Sequence, residues 1–287
     1  MRRRGLRAKV VAMIPTPVQT VAQRASLPSA VEAMFVYECE RDEPHVLIPR
    51  PEIHIAVRFG PSARSGLDAH ALGARERVHR KVVRSGQRTV MARLRLGTPD
   101  AVLGVPASVL AGRVVSLEDL WGDAATQRLL NQLAQARGTS AAAAVLESAI
   151  AERLALSAAR RPYSLLALGA AQRLTNENAN VSAVAVELGV SERHLRRIFR
   201  QAVGVSPKTF AKLTRFRRAL RAAGADDAAG WASIAVAAGY YDQAHLIAEF
   251  RSIAGRTPRA LLGELRAAAA SPATETRPSA PVSAFGV

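Results

Sequence analysis

The sequence predicts an α+β chain, with a β-rich sandwich or barrel in its N-terminal part, a helical connector and an all-α C-terminal part. Two observations carry this prediction. Between residues 30 and 120, short β-branched or alternating segments are separated by clusters of Gly, Pro, Ser and Asp. From residue 116 onward, apolar residues recur at helical spacing, and Ala, which favours helix, is abundant.

The chain is strongly basic and contains one cysteine. Its 287 residues carry a formal net charge of +17, and about half of that excess lies between Arg160 and Arg266, where there are 17 Lys and Arg and 8 Asp and Glu. Such a charge suggests a polyanionic partner, either nucleic acid or an anionic membrane surface. A lone Cys39 allows no intrachain disulfide, which fits a reducing, cytoplasmic compartment. The sequence contains no run of about 18 apolar residues, so we expect no membrane span.

The first 122 residues divide into an arm and a β-rich unit. Residues 1–28 are basic and punctuated by proline, and we expect them to be disordered. We expect residues 29–122 to form a regulatory or effector domain, because five segments within them have strand patterns. These segments are Ala33–Glu38, His45–Ile48, Ile53–Phe59, Arg77–Val83 and Thr89–Leu96.

Helices follow the β-rich unit. Ser116 can cap a helix at Leu117–Trp121, and we expect two more helices at Ala124–Arg137 and Ala141–Ala159. Residues 123–161 fit a connector or dimerisation segment, and they fit equally well a pair of helices that covers the β-rich unit.

An internal repeat occupies residues 162–266. The segment that follows it, residues 267–287, is rich in Ala, Pro, Ser and Thr, and we expect it to be a disordered tail. Ala185–Gly189 is similar to Ala235–Gly239 at an offset of 50 residues. After one inserted residue the offset is 51 and holds as far as Ser206-Pro207 and Thr257-Pro258.

The first copy has the pattern of a helix-turn-helix unit. Gly189 can supply the tight turn, Ser191 can cap the second helix, and Leu195 and Phe199 fall on its core side. Arginines on the opposite side can bond to the O6 and N7 atoms of guanine or bind phosphate. The candidate DNA-binding residues are therefore Arg193, His194, Arg196, Arg197 and Arg200.

The second copy has the same pattern with a less basic outer side. Gly239 turns the chain and Asp242 caps a helix at Gln243–Ser252. We expect Glu249 to point outward with the candidate DNA-binding residues of this copy, among which Gln243 can read adenine. These candidates are Gln243, Ala244, His245, Ala248 and Arg251.

A long helix at Lys208–Ala223 is expected between the two copies. Its apolar residues lie on one side, and basic residues lie along it. As a rigid strut it could hold both recognition helices in successive major-groove segments, about 34 Å apart.

These segments resemble the DNA-binding domain of the AraC/XylS family of bacterial transcription regulators, over about Tyr163–Gly263. The resemblance is carried by Ala185-x-x-x-Gly189-Val-Ser191, Gly204-Val-Ser-Pro207, Gly239-Tyr-x-Asp242-Gln-x-His245 and Gly255-Arg-Thr-Pro258. It implies a seven-helix, all-α domain that often acts as an activator. The base-reading roles then fall on Arg193, Arg196 and Arg197, and on Gln243, Ala244, His245 and Ala248. At Ala248 the family usually has arginine.

The resemblance also implies partners and a regulatory domain. The partner is double-stranded DNA, with a small-molecule effector, RNA polymerase and a second copy of the chain as further options. The N-terminal part looks like the cupin-like β-barrel that many family members carry.

An enzyme or a metal protein is a weaker interpretation. His45, His54, His70 and His79 lie in the β-rich part, but their spacing fits no standard metal-ligand pattern. No phosphate-binding glycine loop, nucleophile elbow or paired-carboxylate signature is present. We therefore expect no catalytic residue, no metal and no cofactor. Two alternatives stay open, a non-specific basic DNA-compaction protein and a β-barrel enzyme with a DNA-binding tail.

Overall fold

The computed structural model describes residues 19–20, 30–157, 164–176, 180–225 and 230–270. The expected disordered arm, residues 1–28, lies outside the described residues except for Gln19–Thr20, which form a short strand. The expected tail, residues 267–287, also lies outside them except for its first four residues, which continue the last helix to Ala270. The arm and tail predictions are wrong at these few positions.

The N-terminal part contains an antiparallel sheet of six strands, in the order β1-β2-β7-β4-β5-β8. The α+β fold class with a β-rich N-terminal part is thereby confirmed. Sequence patterning had missed β1, β5 and β8. The strands are β1 Gln19–Thr20, β2 Val31–Glu38, β4 His54–Phe59, β5 Leu67–Leu72, β7 Arg88–Leu94 and β8 Val114–Ser116.

The central strand β7 shows why one face of this sheet is buried. Val90, Ala92 and Leu94 alternate with more exposed residues, as the period of two in a strand requires. Val90 pairs with Val36 on one side and with Val57 on the other. The alternation that the sequence shows at this strand is therefore the alternation between core and surface.

Two further strands, β3 (Glu43–Leu47) and β6 (His79–Val83), form a separate antiparallel pair. Val46, Ile48 and Val78 of this pair and its flanks pack into an apolar cluster with helices of the C-terminal part. The backbone N–H of Val78 donates to the carbonyl oxygen of Ile253 over 2.9 Å. The β3–β6 pair thus joins the two parts of the chain.

Five α-helices accompany the six-stranded sheet among the described residues. The cluster that contains the sheet's buried residues also contains Leu129, Leu133, Leu146 and Ile150. The helices of residues 123–156 therefore cover the sheet, which agrees with the second of the two interpretations of this segment. The five are α1 Pro99–Leu103, α2 Ala107–Leu110, α3 Leu117–Trp121, α4 Asp123–Gln135 and α5 Gly138–Leu156.

Seven helices follow in the described residues 164–270, the number that the resemblance implies. They surround two apolar clusters, one centred on Phe199 and one on Phe216 and Phe250. They are α6 Ser164–Leu174, α7 Val181–Glu187, α8 Glu192–Val203, α9 Pro207–Ala225, α10 Trp231–Ala237, α11 Gln243–Ala254 and α12 Pro258–Ala270. No helix in the described part of the chain is both long enough and apolar enough to cross a bilayer.

Candidate nucleic-acid interface

The first helix-turn-helix unit is built by α7 and α8. Gly189 lies between them with φ of 65°, a conformation that costs little only for glycine. Ser191 is the N-cap of α8, and its hydroxyl oxygen accepts a hydrogen bond from the backbone N–H of His194 over 3.2 Å. The turn and the cap that the sequence predicts are both present, so the start of α8 is fixed by local chemistry.

Helix α8 has one buried and one exposed face. Leu195, Ile198 and Phe199 are fully buried, and the Phe199 ring meets Phe210 edge-on with 5.4 Å between centroids. The four arginines of this helix are exposed, and His194 is half-buried. They are Arg193, Arg196, Arg197 and Arg200. The exposed face is therefore the basic one, as the sequence predicts.

Contacts along α8 hold part of this basic face in place. Glu192 forms an ion pair with Arg196 one helical turn away. One terminal nitrogen of Arg197 lies 3.4 Å from Nδ1 of His194. Because exposed pairs of this kind contribute little energy, these side chains can exchange their partners for base edges or phosphates.

The second unit, α10 and α11, repeats the geometry. Gly239 has φ of 83° and Asp242 is the N-cap of α11, where its carboxylate accepts from the backbone N–H of His245 over 2.7 Å. The predicted residues on the outer face of α11 are exposed. They are Gln243, Ala244, His245, Ala248 and Arg251.

The expectation that Glu249 points outward is wrong. Glu249 is 8% exposed, and its Oε2 accepts a hydrogen bond from the Arg215 guanidinium of α9 over 2.9 Å. The position lies next to the apolar stripe that contains Leu246 and Phe250, so a slight rotation of the helix decides between core and surface. Burial and the adjacent Glu249 raise the pKa of the Tyr240 hydroxyl, which lies in the same cluster. The acidic group that would have repelled phosphate is thus internal.

Helix α9 connects the two units as a strut, as predicted, and some of its basic residues bind side chains of other elements. Lys212 donates to the Ser252 hydroxyl over 2.9 Å, and Arg217 donates to Glu52 over 3.1 Å. These contacts tie α9 to α11 and to the N-terminal part of the chain. Part of the positive charge of α9 is therefore used in contacts within the fold.

An open groove lies between the arginine face of α8 and helix α2 of the N-terminal part. Its walls carry Ser108 and Val109 on one side and three arginines of α8 on the other. At the end of α8, a Cβ atom on Gly204 would lie 3.0 Å from the carbonyl oxygen of Ala107. The N-terminal part therefore lies against α8, the helix that carries the exposed arginines.

The structure also shows where the histidines of the β-rich part lie. His54 is buried, and burial lowers the pKa of its imidazole to about 3, so it is neutral near pH 7. His70 lies 3.3 Å from the carboxylate of Asp68, which is itself bound by Arg58. These contacts indicate structural roles for both histidines.

His45 is the histidine that the structure brings near other possible metal ligands. One donor atom each from Cys39, Glu43 and His45 lies within 4.8 Å of the others. Lys81 pairs with His45 across the β3–β6 ladder, and its positive charge opposes a cation at this position. Spacing in the sequence gave no sign of this group, because the turn between β2 and β3 creates it.

Comparison with known proteins found one matching family model and a set of similar solved structures. Residues 184–264 match a family model described as a helix-turn-helix domain. A search of curated proteins found no significant match. ToxT of Vibrio cholerae O395 bound to (E)-4-(8-methylnaphthalen-1-yl)but-3-enoic acid has 9% identity and a TM-score of 0.43, over 81% of this chain and 98% of that chain.

Two other ToxT structures give similar values. A 1.65 Å structure from Vibrio cholerae has 10% identity and a TM-score of 0.42, over 80% of this chain and 97% of that chain. Wild-type ToxT of strain SCE256 bound to an unsaturated fatty acid has 9% identity and a TM-score of 0.38, over 83% and 97%. Similarity at this level assigns no ligand or target to this chain. Both capped helices, α8 and α11, lie inside residues 184–264, so the chain contains a helix-turn-helix domain.

Proposed function

We propose that this protein is a sequence-specific, double-stranded-DNA-binding transcription regulator that uses α8 and α11 as recognition helices. The observation that carries the proposal is the exposed arginine face of α8, which follows a glycine turn and a serine cap in a helix-turn-helix unit. A helix presented in this way can enter the major groove with its N-terminal residues at the base edges.

Helix α8 supplies most of the recognition in this proposal. Arg193, Arg196 and Arg197 contact base edges, since an arginine fork matches the two acceptors of guanine. Arg200, near the end of the helix, binds phosphate, and His194 lies beside the reading side chains. Loss of a base contact is expected to change specificity, whereas loss of a phosphate contact weakens binding to all sequences.

Helix α11 makes fewer specific contacts. Gln243 can form two hydrogen bonds to adenine, and His245 and Arg251 can bind a base or a phosphate. Ala244 and Ala248 leave room for close approach and offer no hydrogen bond. The burial of Glu249 removes the negative charge that would have opposed this contact.

We further propose that residues 29–122, covered by the helices of residues 123–156, form a regulatory domain and that residues 162–266 form the DNA-binding domain. Two contacts support control of one by the other. The N-terminal part touches α8 through α2, and it touches the second unit through the β3–β6 pair. An effector that shifts the sheet would therefore act on both units.

Selection from random double-stranded DNA with the full chain tests the proposal. We expect one enriched motif and binding that survives an excess of random DNA, with an affinity that falls linearly with salt on logarithmic axes. A protein that only compacts DNA would enrich no motif. In that outcome the sequence-specific function is wrong.

The variant Arg197→Ala tests the role of α8. We expect it to lose about 1–3 kcal/mol on the selected site and to relax specificity at one base pair. Arg128→Ala is the matched control, because Arg128 is an exposed helical arginine of the N-terminal part. Fluorescence anisotropy with matched and mismatched sites measures both variants. An equal loss on every sequence would make Arg197 a phosphate contact.

A further inference from the structure

A group of charged side chains lies at the junction between the six-stranded sheet and the strut helix α9. We call Arg50, Glu52, Arg75, Arg93 and Arg217 the junction cluster. Arg217 of α9 donates to Glu52 over 3.1 Å. Arg93 of β7 pairs across the sheet with the buried His54, and the backbone N–H of Arg75 donates to the carbonyl oxygen of Arg50 over 2.9 Å. Strand, loop and helix residues distant in sequence thus meet here.

The charges of the junction cluster do not balance. Three guanidinium groups, those of Arg50, Arg93 and Arg217, interact with one largely buried carboxylate, that of Glu52, whose side chain is 11% exposed. The second carboxylate nearby, Glu32, lies 3.6 Å from Arg93 and is 43% exposed. Among the described residues, the cluster therefore retains an excess of positive charge.

Several polar atoms of the cluster lack hydrogen-bond partners among the described residues. They include the Nε atoms of Arg50, Arg93 and Arg217 and the Oε2 atom of Glu52, all of them buried. Burial and the repulsion from Arg93 and Arg217 lower the pKa of the Arg50 guanidinium to about 10. Since buried charges are ordinarily paired and buried donors ordinarily bonded, a bound anion would stabilise this arrangement.

We propose that the junction cluster binds a small anion through its carboxylate or phosphate group. The planar fork of a guanidinium matches both groups, because each offers two oxygens to two parallel N–H donors. The Phe35 ring, 4.7 Å below the Arg93 guanidinium, and the neutral His54 form an apolar wall that strengthens such contacts. The clustered arginines are partly exposed, so a small solute can reach them.

Anion binding at the junction cluster would affect the position of the strut helix α9. The anion would bridge residues of the sheet and its loops to Arg217, and α9 holds both helix-turn-helix units. The anion would then favour one arrangement of the two parts of the chain. This last step rests on the proposed function, whereas anion binding itself does not depend on it.

Calorimetric titration and thermal unfolding of the full chain test the site directly. The probes are inorganic phosphate and benzoate, each compared with sodium chloride at equal ionic strength. We expect saturable binding of one equivalent and a rise in Tm with at least one of the two probes, and the probe that binds identifies the anionic group. If neither probe binds more than chloride does, the proposal is overturned.

Variants at Arg50 separate an anion site from a structural role. Arg50→Met removes a half-buried positive charge that forms no direct ion pair among the described residues, so we expect the Tm without anion to stay equal or rise and the affinity for the probe to fall at least tenfold. Arg50→Lys keeps the charge without the fork and is expected to bind with intermediate affinity. Arg64→Met, at an arginine that is 86% exposed, is the control and should bind as the unaltered chain does. Unchanged probe affinity in Arg50→Met would refute the site.

DNA binding is measured separately with the selected sequence, with and without the probe. Saturable probe binding by a chain that selects no DNA motif would leave the anion site standing and refute the regulator function. Motif selection by a chain that binds neither probe would refute the anion site alone.

Discussion

Replacing Glu249 by alanine distinguishes the structure from the sequence pattern most sharply. In the structure Glu249 is internal and holds the Arg215 guanidinium of α9 at 2.9 Å. In the sequence pattern it belongs to the outer face of α11, where it would oppose phosphate. The two placements predict different results for stability and for DNA affinity.

The magnitude follows from the burial of the two partners. Breaking a buried ion pair by removing one partner costs about 3–5 kcal/mol, because the other charge stays uncompensated. The side chain of Glu249 is 7% exposed and that of Arg215 is 26% exposed, so Arg215 regains some hydration. We therefore expect about 3 kcal/mol, the low end of that range, or roughly a hundredfold change in the unfolding equilibrium.

Urea unfolding of Glu249→Ala, followed by circular dichroism, measures this loss. The control is Glu187→Ala, because Glu187 forms a comparable ion pair with Arg173 at 3.0 Å but is 58% exposed. Exposed pairs contribute about 0–1 kcal/mol, so the control should be nearly neutral. Anisotropy under conditions where each variant stays folded should give DNA affinities within about twofold of the unaltered chain.

The opposite pattern would refute the buried placement. If Glu249→Ala changed stability no more than Glu187→Ala and bound DNA more tightly, Glu249 would face the groove. The internal ion pair between α9 and α11 would then be wrong, and the strut would lose one of its two side-chain links to α11 described above.

Three further predictions follow from single positions. Ala248→Arg adds a donor to the exposed face of α11 and should tighten binding to the selected site by about 1 kcal/mol in anisotropy measurements; no gain would mean that α11 does not face the groove. Gly204→Ala introduces a Cβ at φ of 93° and 3.0 Å from the Ala107 carbonyl oxygen, so urea unfolding should show a loss of about 1–3 kcal/mol, and unchanged stability would contradict the packing of α8 on α2. Burial lowers the pKa of His54 to about 3, so below about pH 6.5 this imidazole binds a proton in the unfolded chain but not in the folded chain. Stability should fall by up to about 1.4 kcal/mol per pH unit as pH drops from 6.5 to 5; His54→Leu should flatten that slope, whereas the exposed His79→Leu should not.

Local chemistry let the sequence predict the two helix-turn-helix units. The caps Ser191 and Asp242 act on amide groups three residues away, and the turn glycines Gly189 and Gly239 are required by backbone conformation alone. The apolar stripe of α8 is strong enough to orient that helix without reference to any neighbour. These features depend on residues within one or two helical turns, so they can be read without coordinates.

Strands with mixed patterns were harder to find. Strand β5, Leu67–Leu72, contains Asp68, which strand propensity disfavours, yet Arg58 across the ladder binds its carboxylate at 2.8 Å and 2.6 Å. Strand β8 has three residues, too few to show alternation. In both cases pairing with a neighbouring strand, rather than the local sequence, stabilises the extended conformation.

By itself the sequence determined the two helix-turn-helix units, their turns, their caps and the basic face of α8. Only the tertiary structure decided that Glu249 is internal, that the helices of residues 123–156 cover the sheet, and that Arg50 meets Arg217 at the junction cluster. Glu249 and its partner Arg215 are 34 residues apart, and Glu52 and Arg217 are 165 apart. Helical periodicity gives the direction of a side chain to within part of a turn, whereas burial depends on which distant segment packs against it. Charges paired over such separations therefore become visible only in the folded chain.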